Sequence, residues 1–378
     1  PKDFEILAST DTCPIAAFEN NSRKIYGVQF HIEVFHTPKG SQILKNFLFG
    51  ICRAKKDWQL GSISGKLVRE VKKEIGKNSV IMGVSGGVDS TVAATLIHKA
   101  IGNRLYCVFV DHGLIRKREA EEVKDFFQKR LKFRHFYFVD ASHIFLEKLK
   151  NVTDPEEKRK IIGHAFIEVF ENKVVELEKK HRDIKFLGQG TIYPDRIESA
   201  QPSKYASKIK SHHNITLPEK MKLKVVEPLK ELYKEEVRKL GKELKVPHDI
   251  INRHPFPGPG LAIRILGEIN EERLGILKEA DYIFIDELKK SRFYDKTWQA
   301  FAALMPVKTV GVMGDARTYE YVICIRAVTS MDAMTADWAK LPYDLLEKIS
   351  NRIINEVRGV NRVVYDITQK PPGTIEYE

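Results

Sequence analysis

The chain has 378 residues, of which 43% are hydrophobic and 30% are charged, so its composition is that of a folded globular protein and excludes a disordered one. No apolar run approaches the roughly 18 residues of a membrane helix, and no signal-peptide pattern opens the chain, so we expect a cytoplasmic protein with no membrane partner. The net charge of +12 favours phosphate-bearing ligands, although a lysine-rich solvated surface explains it equally well.

The first region, residues 1–57, holds short apolar runs at 4–8 and 25–30 and an apolar-periodic stretch at 41–52 that predicts a helix. These segments offer too little apolar surface for an independent core. The chain starts at Pro1, without a methionine, in what reads as a strand already under way. We therefore expect these residues to be the end of a larger domain whose upstream part is missing.

The second region, residues 58–253, alternates strand and helix signals, which predicts a parallel α/β sheet. The predicted strands are 79–84, 105–110, 135–139 and 185–187. The predicted helices are 91–100, 116–131, 155–180 and 231–244. Residues 204–222 show no periodicity and predict a mobile loop.

A proline-glycine cluster, HPFPGPG at 254–260, marks the start of the third region, residues 254–378. Its predicted strands are 309–313, 321–327 and 362–367, and its predicted helix is 343–357. This mixture predicts an α+β domain at the carboxyl end of the chain.

The hexapeptide SGGVDS at 85–90 follows a buried strand and opens a helix. Gly86 and Gly87 let the backbone approach a phosphate closely, and the helix start supplies unpaired N–H groups and a positive dipole end. Asp89 is suited to hold Mg²⁺ against the phosphates. The predicted ATP site comprises Ser85, Gly86, Gly87, Val88, Asp89, Ser90 and Thr91. The alternative is a glycine-rich turn in which Asp89 or Ser90 only caps the helix.

The loop lacks the lysine of a Walker loop and resembles the pyrophosphatase loop of the N-type ATP pyrophosphatases. Further stretches resemble the synthetase half of the GMP synthase family. They are VDHGLIR (110–116), GQGTIYPDRIES (188–199), IKSHHN (209–214), HPFPGPGLAIR (254–264), GDARTYEYVICIRAV (314–328), MTADWAKLPY (334–343) and KPPGTIEYE (370–378).

The resemblance implies an adenine nucleotide alpha hydrolase-like sheet and the ATP-dependent amination of xanthosine monophosphate (XMP) to GMP. The implied intermediate is adenyl-XMP, and the by-products are AMP and pyrophosphate. The implied cofactors are ATP and Mg²⁺, with ammonia or glutamine as nitrogen source. A homodimer formed by the C-terminal domain is also implied.

The stretch GVQFHIEVFHT at 27–37 resembles the end of a class I glutamine amidotransferase domain, whose Cys-His-Glu triad His31 and Glu33 would complete. Two residues apart on a strand, their side chains face the same side, so that Glu33 orients the imidazole. This chain has Ile32 where the family usually has proline. Because Cys13 is not in a nucleophile-elbow context, we expect the cysteine upstream and free ammonia as this chain's own nitrogen source.

The resemblance also implies roles for single residues. Val110 would bracket the adenine. Asp195 and Glu198, three apart, would share a helix face and hold Mg²⁺ or align the purine, with a solvated acidic pair as the alternative. A cationic cluster would neutralise the α-phosphate, and it consists of Lys210, His212 and His213. The stretch PLKELYK at 228–234 would steer a lid or form a solvated helix face.

The residues that the resemblance assigns to XMP are Arg116, Gln299, Arg362, Lys370 and Glu376. Arg362 and Lys370 suit the phosphate, since guanidinium groups bind phosphate in bidentate fashion and lysine binds it as a point charge. Gln299 and Glu376 suit polar edges of the base or ribose.

Two alternatives remain open at this point. One is another N-type ATP pyrophosphatase, in particular a tRNA-modifying adenylylating enzyme, which the positive charge favours. However, the lysines are spread along the chain and no RNA-binding signature occurs, so we predict no nucleic-acid partner. The other is a noncatalytic nucleotide-binding regulator, against which the intact loop, Lys210 and Asp195 argue.

Overall fold

The structure, a computed structural model, describes residues 2–33, 37–56, 63–199, 223–330 and 333–378. The strands are β1 (Glu5–Ala8), β2 (Ala17–Asn20), β3 (Ile25–Val28), β4 (Ser79–Gly83), β5 (Leu105–Asp111), β6 (His135–Asp140), β7 (Ile184–Gly188), β8 (Lys224–Val226), β9 (Gln299–Met313), β10 (Ala316–Thr329), β11 (Asp337–Trp338) and β12 (Val360–Tyr365). The α-helices are α1 (Gly40–Lys45), α2 (Ile63–Ile75), α3 (Val88–Ile101), α4 (Glu119–Asp125), α5 (Ser142–Lys148), α6 (Pro155–Lys180), α7 (Tyr193–Ser199), α8 (Lys234–Glu243), α9 (His248–Ile251), α10 (Glu271–Lys290) and α11 (Tyr343–Glu356). Among the helices of these ranges, none is both long and apolar enough to cross a membrane.

The chain divides into two compact units. The first comprises Pro1–Gln59, Thr329–Asp337 and Thr368–Ile375, and the second comprises Leu60–Val328, Trp338–Ile367 and Glu376–Glu378. The first unit contains the antiparallel meander β1-β2-β3. The second contains a parallel sheet and, after it in the chain, an antiparallel hairpin with two long helices.

The parallel sheet of the second unit has the strand order β6-β5-β4-β7-β8. Successive residues of β4 point to opposite faces, so Ile81 joins one hydrophobic cluster while Val80 and Met82 join another. Helices cover both faces, which explains why β4 and β5 read as continuous apolar runs rather than alternating ones. The predicted parallel α/β fold is thereby confirmed.

The C-terminal hairpin pairs β9 with β10 in antiparallel fashion, and β12 adds to β10 in parallel. Ile323 of β10 and Phe284 of α10 belong to the same hydrophobic cluster as Phe145 of α5 and Phe170 of α6. One core therefore continues across the predicted boundary at residue 254. The division into 1–57, 58–253 and 254–378 stays a prediction.

Helix α10 has no counterpart in the sequence-based predictions, although it is 20 residues long. Two of its buried positions are the carboxylates Asp281 and Glu287, which interrupt the apolar periodicity that would announce a helix. The helix predicted at 116–131 is also different, since α4 begins only at Glu119. Arg118 adopts a left-handed φ of 64°, and the helix continues after Asp125 as a π-helix.

Glu287 of α10 is a buried carboxylate that joins two helices. Its side chain is 3% exposed, and its carboxylate oxygens lie 2.8 Å from Nζ of Lys348 and 2.8 Å from Nη1 of Arg352, both on α11. Burial alone would raise the pKa of Glu287, but the hydrogen bonds from Lys348 and Arg352 lower it below the ordinary value of 4.5.

We expect Glu287→Gln to lower the free energy of unfolding at neutral pH by about 1–3 kcal/mol, because two cations lose a buried partner. The pKa of Glu287 is lower in the folded protein than in the unfolded chain. Its stabilisation is therefore complete at a pH above the unfolded-state pKa, and it is lost as the pH falls through the folded-state pKa. The variant should therefore lose less stability than the wild type on acidification. Urea denaturation at several pH values measures both effects. Glu356→Gln is the matched control, since Glu356 pairs with the same Arg352 but is half exposed, and it should cost below about 1 kcal/mol.

Candidate active site

The loop that joins β4 to α3 lies at the carboxyl end of the central strand of the parallel sheet. Gly86 has a left-handed φ of +73°, and a Cβ built there would lie 2.5 Å from Cγ2 of Val123, so conformation and space both require glycine. Gly87 is the N-cap residue of the 14-residue helix α3. The first N–H groups of a helix and the positive end of its dipole are chemically suited to an anion, and those of α3 lie at this loop.

Two serine hydroxyls hold this loop closed. Oγ of Ser90 donates to the carbonyl oxygen of Gly87 at 3.2 Å and accepts from the N–H of Ser85 at 3.2 Å. Oγ of Ser85 lies 3.1 Å from Oγ of Ser90. The structure therefore brings the residues predicted at 85–90 together in one turn.

Three residues predicted to bind ATP have buried side chains. Val88 is 5% exposed and Val110 is 4% exposed, and both pack into hydrophobic clusters. Thr91 is fully buried, and its Oγ1 has no hydrogen-bond partner in the described part of the chain. The structure thus keeps the Thr91 hydroxyl away from the surface of the loop, and Val88 and Val110 have only main-chain atoms to offer a ligand.

Asp89 combines a paired and an unpaired carboxylate oxygen. Its Oδ2 lies 2.5 Å from Nζ of Lys234, the first residue of α8. Its Oδ1 is buried and has no hydrogen-bond partner among the described residues. Mg²⁺ is commonly bound by one or two carboxylates together with phosphate oxygens, so Asp89 fits the part of a metal ligand beside a nucleotide. Lys234, which the sequence left open as a lid or a solvated residue, reaches the loop.

The GQGT segment approaches the same loop from β7. A Cβ on Gly190 would lie 3.1 Å from the carbonyl carbon of Asp89, so glycine permits this close approach. Further on, Oδ2 of Asp195 accepts the N–H of Ile192 at 3.1 Å, as the third residue of a helix does in a capping box. Glu198 lies in α7, but its side chain is outside the described part. The residues of the predicted cationic cluster, Lys210, His212 and His213, also lie outside the described residues.

A second polar cluster forms around the fully buried Arg264. Its Nε and Nη2 donate to the two carboxylate oxygens of Glu376 at 3.0 and 2.8 Å, and its guanidinium lies 4.2 Å from the ring centroid of Phe301. Nε2 of Gln299 donates to Oε1 of Glu376 at 2.7 Å and to the carbonyl oxygen of Pro255 at 3.1 Å. The structure therefore brings together Gln299 and Glu376, both predicted to bind XMP.

Arg264 was missed as a site residue in the sequence, although it ends the motif HPFPGPGLAIR. A fully buried arginine needs a carboxylate partner, and sequence alone did not point to Glu376, 112 positions away.

Arg116 lies beside this cluster. Its Nη2 donates to the carbonyl oxygen of Ala300 at 3.1 Å, its Nε lies 3.4 Å from Oδ2 of the buried Asp281, and its guanidinium lies 5.3 Å from the ring centroid of Phe256. Burial lowers the pKa of Arg116, but the negative charges of Asp281 and Glu119 raise it by more, so the pKa lies above its ordinary value. The guanidinium stays charged and is engaged by protein atoms.

The two residues predicted to bind the XMP phosphate belong to different units of the chain. Arg362 on β12 is exposed, and its Nε donates weakly to Oγ1 of Thr309 at 3.4 Å. Lys370 belongs to the other unit, where its Nζ donates to the carbonyl oxygen of Ala333 at 2.7 Å. Their role as phosphate ligands stays a prediction.

His31 and Glu33 contact each other, with Nδ1 of His31 2.6 Å from Oε1 of Glu33. The predicted strand placement is wrong, because β3 ends at Val28. Its partner β2 begins at Ala17, opposite Val28, so in the described part of the chain the β2–β3 pairing ends before His31. A hydrogen bond from backbone and one from His31 lower the pKa of Glu33.

Three family models match this chain. They are glutamine amidotransferase class-I over residues 1–51, NAD synthase over 62–162, and GMP synthase C terminal domain over 286–377. The chain is 61% identical over 379 residues to the GMP synthase [glutamine-hydrolyzing] of Carboxydothermus hydrogenoformans. The alignment covers 100% of this chain and 73% of that protein. The chain is 58% identical over 381 residues to the GMP synthase [glutamine-hydrolyzing] of Aquifex aeolicus, with the same coverage of 100% and 73%.

The chain belongs to the GMP synthase family. Members of this family use ATP, and the NAD synthase match spans the loop at 85–90. These matches favour GMP synthase over the tRNA-modifying enzyme and over the noncatalytic regulator. Among solved structures, the chain is similar to NMN synthetase from Francisella tularensis at 17% sequence identity and a TM-score of 0.39, over 64% of this chain and 94% of that one.

We expect Gly86→Ala to weaken ATP binding about tenfold or more, because a Cβ strains the left-handed residue and displaces it from Val123. Isothermal titration calorimetry with ATP measures the loss. Gly163→Ala is the control: Gly163 lies in α6, and a Cβ there meets nothing within 4 Å, so ATP affinity should be unchanged. Equal ATP affinity in Gly86→Ala and wild type would contradict a role of this loop in binding.

Proposed function

We propose that the chain adenylylates XMP with ATP and then exchanges AMP for ammonia, which gives GMP, AMP and pyrophosphate. The observation that carries the proposal is the SGGVDS turn between β4 and α3, in a chain with full-length similarity to GMP synthases. The xanthine O2 attacks the α-phosphorus as the N3–H loses its proton to solvent, and the bond from that phosphorus to the bridging oxygen of pyrophosphate breaks. Ammonia then adds at C2, loses a proton, and AMP leaves with the former O2.

In this proposal the turn holds the two phosphates that leave together. Main-chain N–H groups at the start of α3 face the anion, and Lys234 adds a cation beside them. Asp89 is proposed to hold Mg²⁺ through Oδ1, the oxygen that has no protein partner in the described residues. Mg²⁺, when bound, would neutralise charge on the phosphates. Asp195, Glu198, Lys210, His212 and His213 keep their proposed roles at the α-phosphate and the purine.

The cluster around Arg264 is proposed to read the purine base. Gln299 commits both of its amide hydrogens to protein oxygens, namely those of Pro255 and Glu376. Its remaining polar atom is a carbonyl oxygen, which can only accept, as can the Glu376 carboxylate. Two acceptors side by side suit a base with ring N–H groups, and xanthine carries them at N1 and N3. Arg264 positions both acceptors through its fork on Glu376.

A homodimer is proposed through the hairpin of β9 and β10. Val310, Val312 and Tyr319 are 59%, 73% and 64% exposed, and Val310 pairs with Tyr319 in the strand register. Because alternate residues of a strand share a face, the three side chains form one apolar patch. An exposed apolar patch of this kind is typical of a subunit interface.

A polypeptide of these 378 residues should convert XMP to GMP when given ATP, Mg²⁺ and an ammonium salt, with one AMP and one pyrophosphate for each GMP. Glutamine should not replace ammonium. Chromatographic separation of the nucleotides, with a coupled pyrophosphate assay, measures the products. Asp89→Ala and Lys210→Ala should lose XMP-dependent pyrophosphate release, whereas Asp125→Ala, at an exposed aspartate of α4, should keep it. Absence of XMP-dependent pyrophosphate release from the wild type would refute the proposal.

We expect Val312→Glu to convert a dimer into monomers, because a charge in an apolar interface is strongly destabilising. Sedimentation velocity at micromolar protein measures the masses. Val175→Glu is the control, since Val175 is 43% exposed on α6, away from the hairpin, and should leave the dimer intact. A monomeric wild type, or a Val312→Glu variant that remains dimeric, would count against the interface.

A further inference from the structure

We propose that Arg253 is a positioning residue for the pyrophosphate loop, a role that rests on the proposed function. Arg253 precedes the HPFPGPG cluster and follows α9. Its Nη1 donates to the carbonyl oxygen of Gly86 at 3.1 Å, and its Nη2 lies 3.0 Å from Oε1 of Glu119. Both side chains are largely buried, with 19% of Arg253 and 5% of Glu119 exposed. The guanidinium therefore joins the loop to the first residue of α4.

The hydrogen bond to Gly86 fixes more than one carbonyl group. A peptide unit is planar and trans, so the C=O of Gly86 and the N–H of Gly87 point in opposite directions. When Arg253 holds that C=O on one side, the N–H of Gly87 must face the other side. There the N–H of Gly87 donates to Oγ of Ser85 at 3.3 Å, within the turn that Ser85 and Ser90 close. Arg253 thereby fixes the orientation of the Gly86–Gly87 peptide and, with it, the shape of the turn where the phosphates are proposed to bind.

The left-handed conformation of Gly86 makes this support necessary. Val123 occupies the space on one side of Gly86, and glycine has no side chain with which to anchor the turn. An unsupported glycine turn samples many conformations, and a ligand that binds only one of them must pay the conformational entropy lost by the turn. Arg253 removes this freedom before ATP arrives, and it also turns a carbonyl dipole away from the anion.

Glu119 anchors the arginine from the other side. Its Oε2 accepts the N–H of Arg116 at 3.0 Å, while Oε1 takes the guanidinium of Arg253. The guanidinium of Arg116 in turn donates to Ala300, the neighbour of Gln299. A single buried carboxylate therefore connects the ATP loop to the segment that reaches the proposed purine site. Both of its oxygens are used, as a buried carboxylate requires.

The test compares ATP and pyrophosphate affinity in Arg253→Gln, Arg253→Lys and Glu119→Gln. We expect Arg253→Gln to raise the Kd of ATP and of pyrophosphate about 10- to 100-fold, because misplacement of the loop costs that much. The KM of XMP should change by less than about threefold, because Arg264, Gln299 and Glu376 keep their own contacts. Arg253→Lys retains a hydrogen-bond donor and should bind ATP and pyrophosphate more tightly than Arg253→Gln. The Kd values of Glu119→Gln should lie between those of Arg253→Lys and Arg253→Gln.

Arg130→Gln is the matched control. Arg130 also faces a carboxylate, Asp249, but this pair is exposed and lies 3.4 Å apart, and the ATP affinity should not change. Calorimetric titration with ATP and with pyrophosphate gives the affinities without any turnover. Failure to form GMP from XMP in the wild type would overturn the proposed function and leave this measurement intact.

Two results would overturn the positioning role. One is unchanged Kd values for ATP and pyrophosphate in folded Arg253→Gln. The other is an equal rise in the Kd of ATP and the KM of XMP together with a lower melting temperature, which a merely structural arginine would produce. If Arg253→Gln does not fold, the same Kd and KM values are measured for Arg253→Lys and judged by the same two outcomes, since a lysine retains the charge but loses the fork geometry.

Discussion

The left-handed turn at Gly86 is the constraint on which the rest of the proposed nucleotide site depends. It joins the buried strand β4 to helix α3. A side chain at Gly86 would clash with Val123, and the φ of +73° is one that glycine adopts readily. The serine hydroxyls, the close approach of Gly190 and the Lys234–Asp89 pair are all arranged around this turn.

The cluster around Arg264 depends on how a buried positive charge is stabilised. Arg264 is fully buried, and its charge is offset by a fork onto Glu376 and by the aromatic faces of Phe256 and Phe301. The carboxylate of Glu376 is therefore held by a buried cation. In the proposed function, the loop offers N–H groups and Lys234 to an anion, whereas the cluster around Arg264 offers hydrogen-bond acceptors to the purine.

Much of this could be predicted from the sequence, because strongly apolar strands and the SGGVDS turn are local signals. The long helix α6 is observed at 155–180 as expected, since Asp154 caps it and Pro155 occupies its first position. Contacts between distant residues gave no such signal. Arg264 and its carboxylate are separated by more than a hundred positions, and helix α10 was missed because its buried Asp281 reads as a surface residue. Thr91 reads as a ligand beside the loop but its side chain lies inside.

The continuous core has a consequence for how the molecule comes apart. Apolar residues of α5, α6 and the C-terminal hairpin belong to one cluster, so we expect the parallel sheet and the hairpin to unfold together. Heat or denaturant should melt them in one step, and amide protons of β5 and β10 should exchange with the same free energy of opening. A hairpin region excised at residue 254 would expose the half of this core that α6 now covers and would be prone to aggregate.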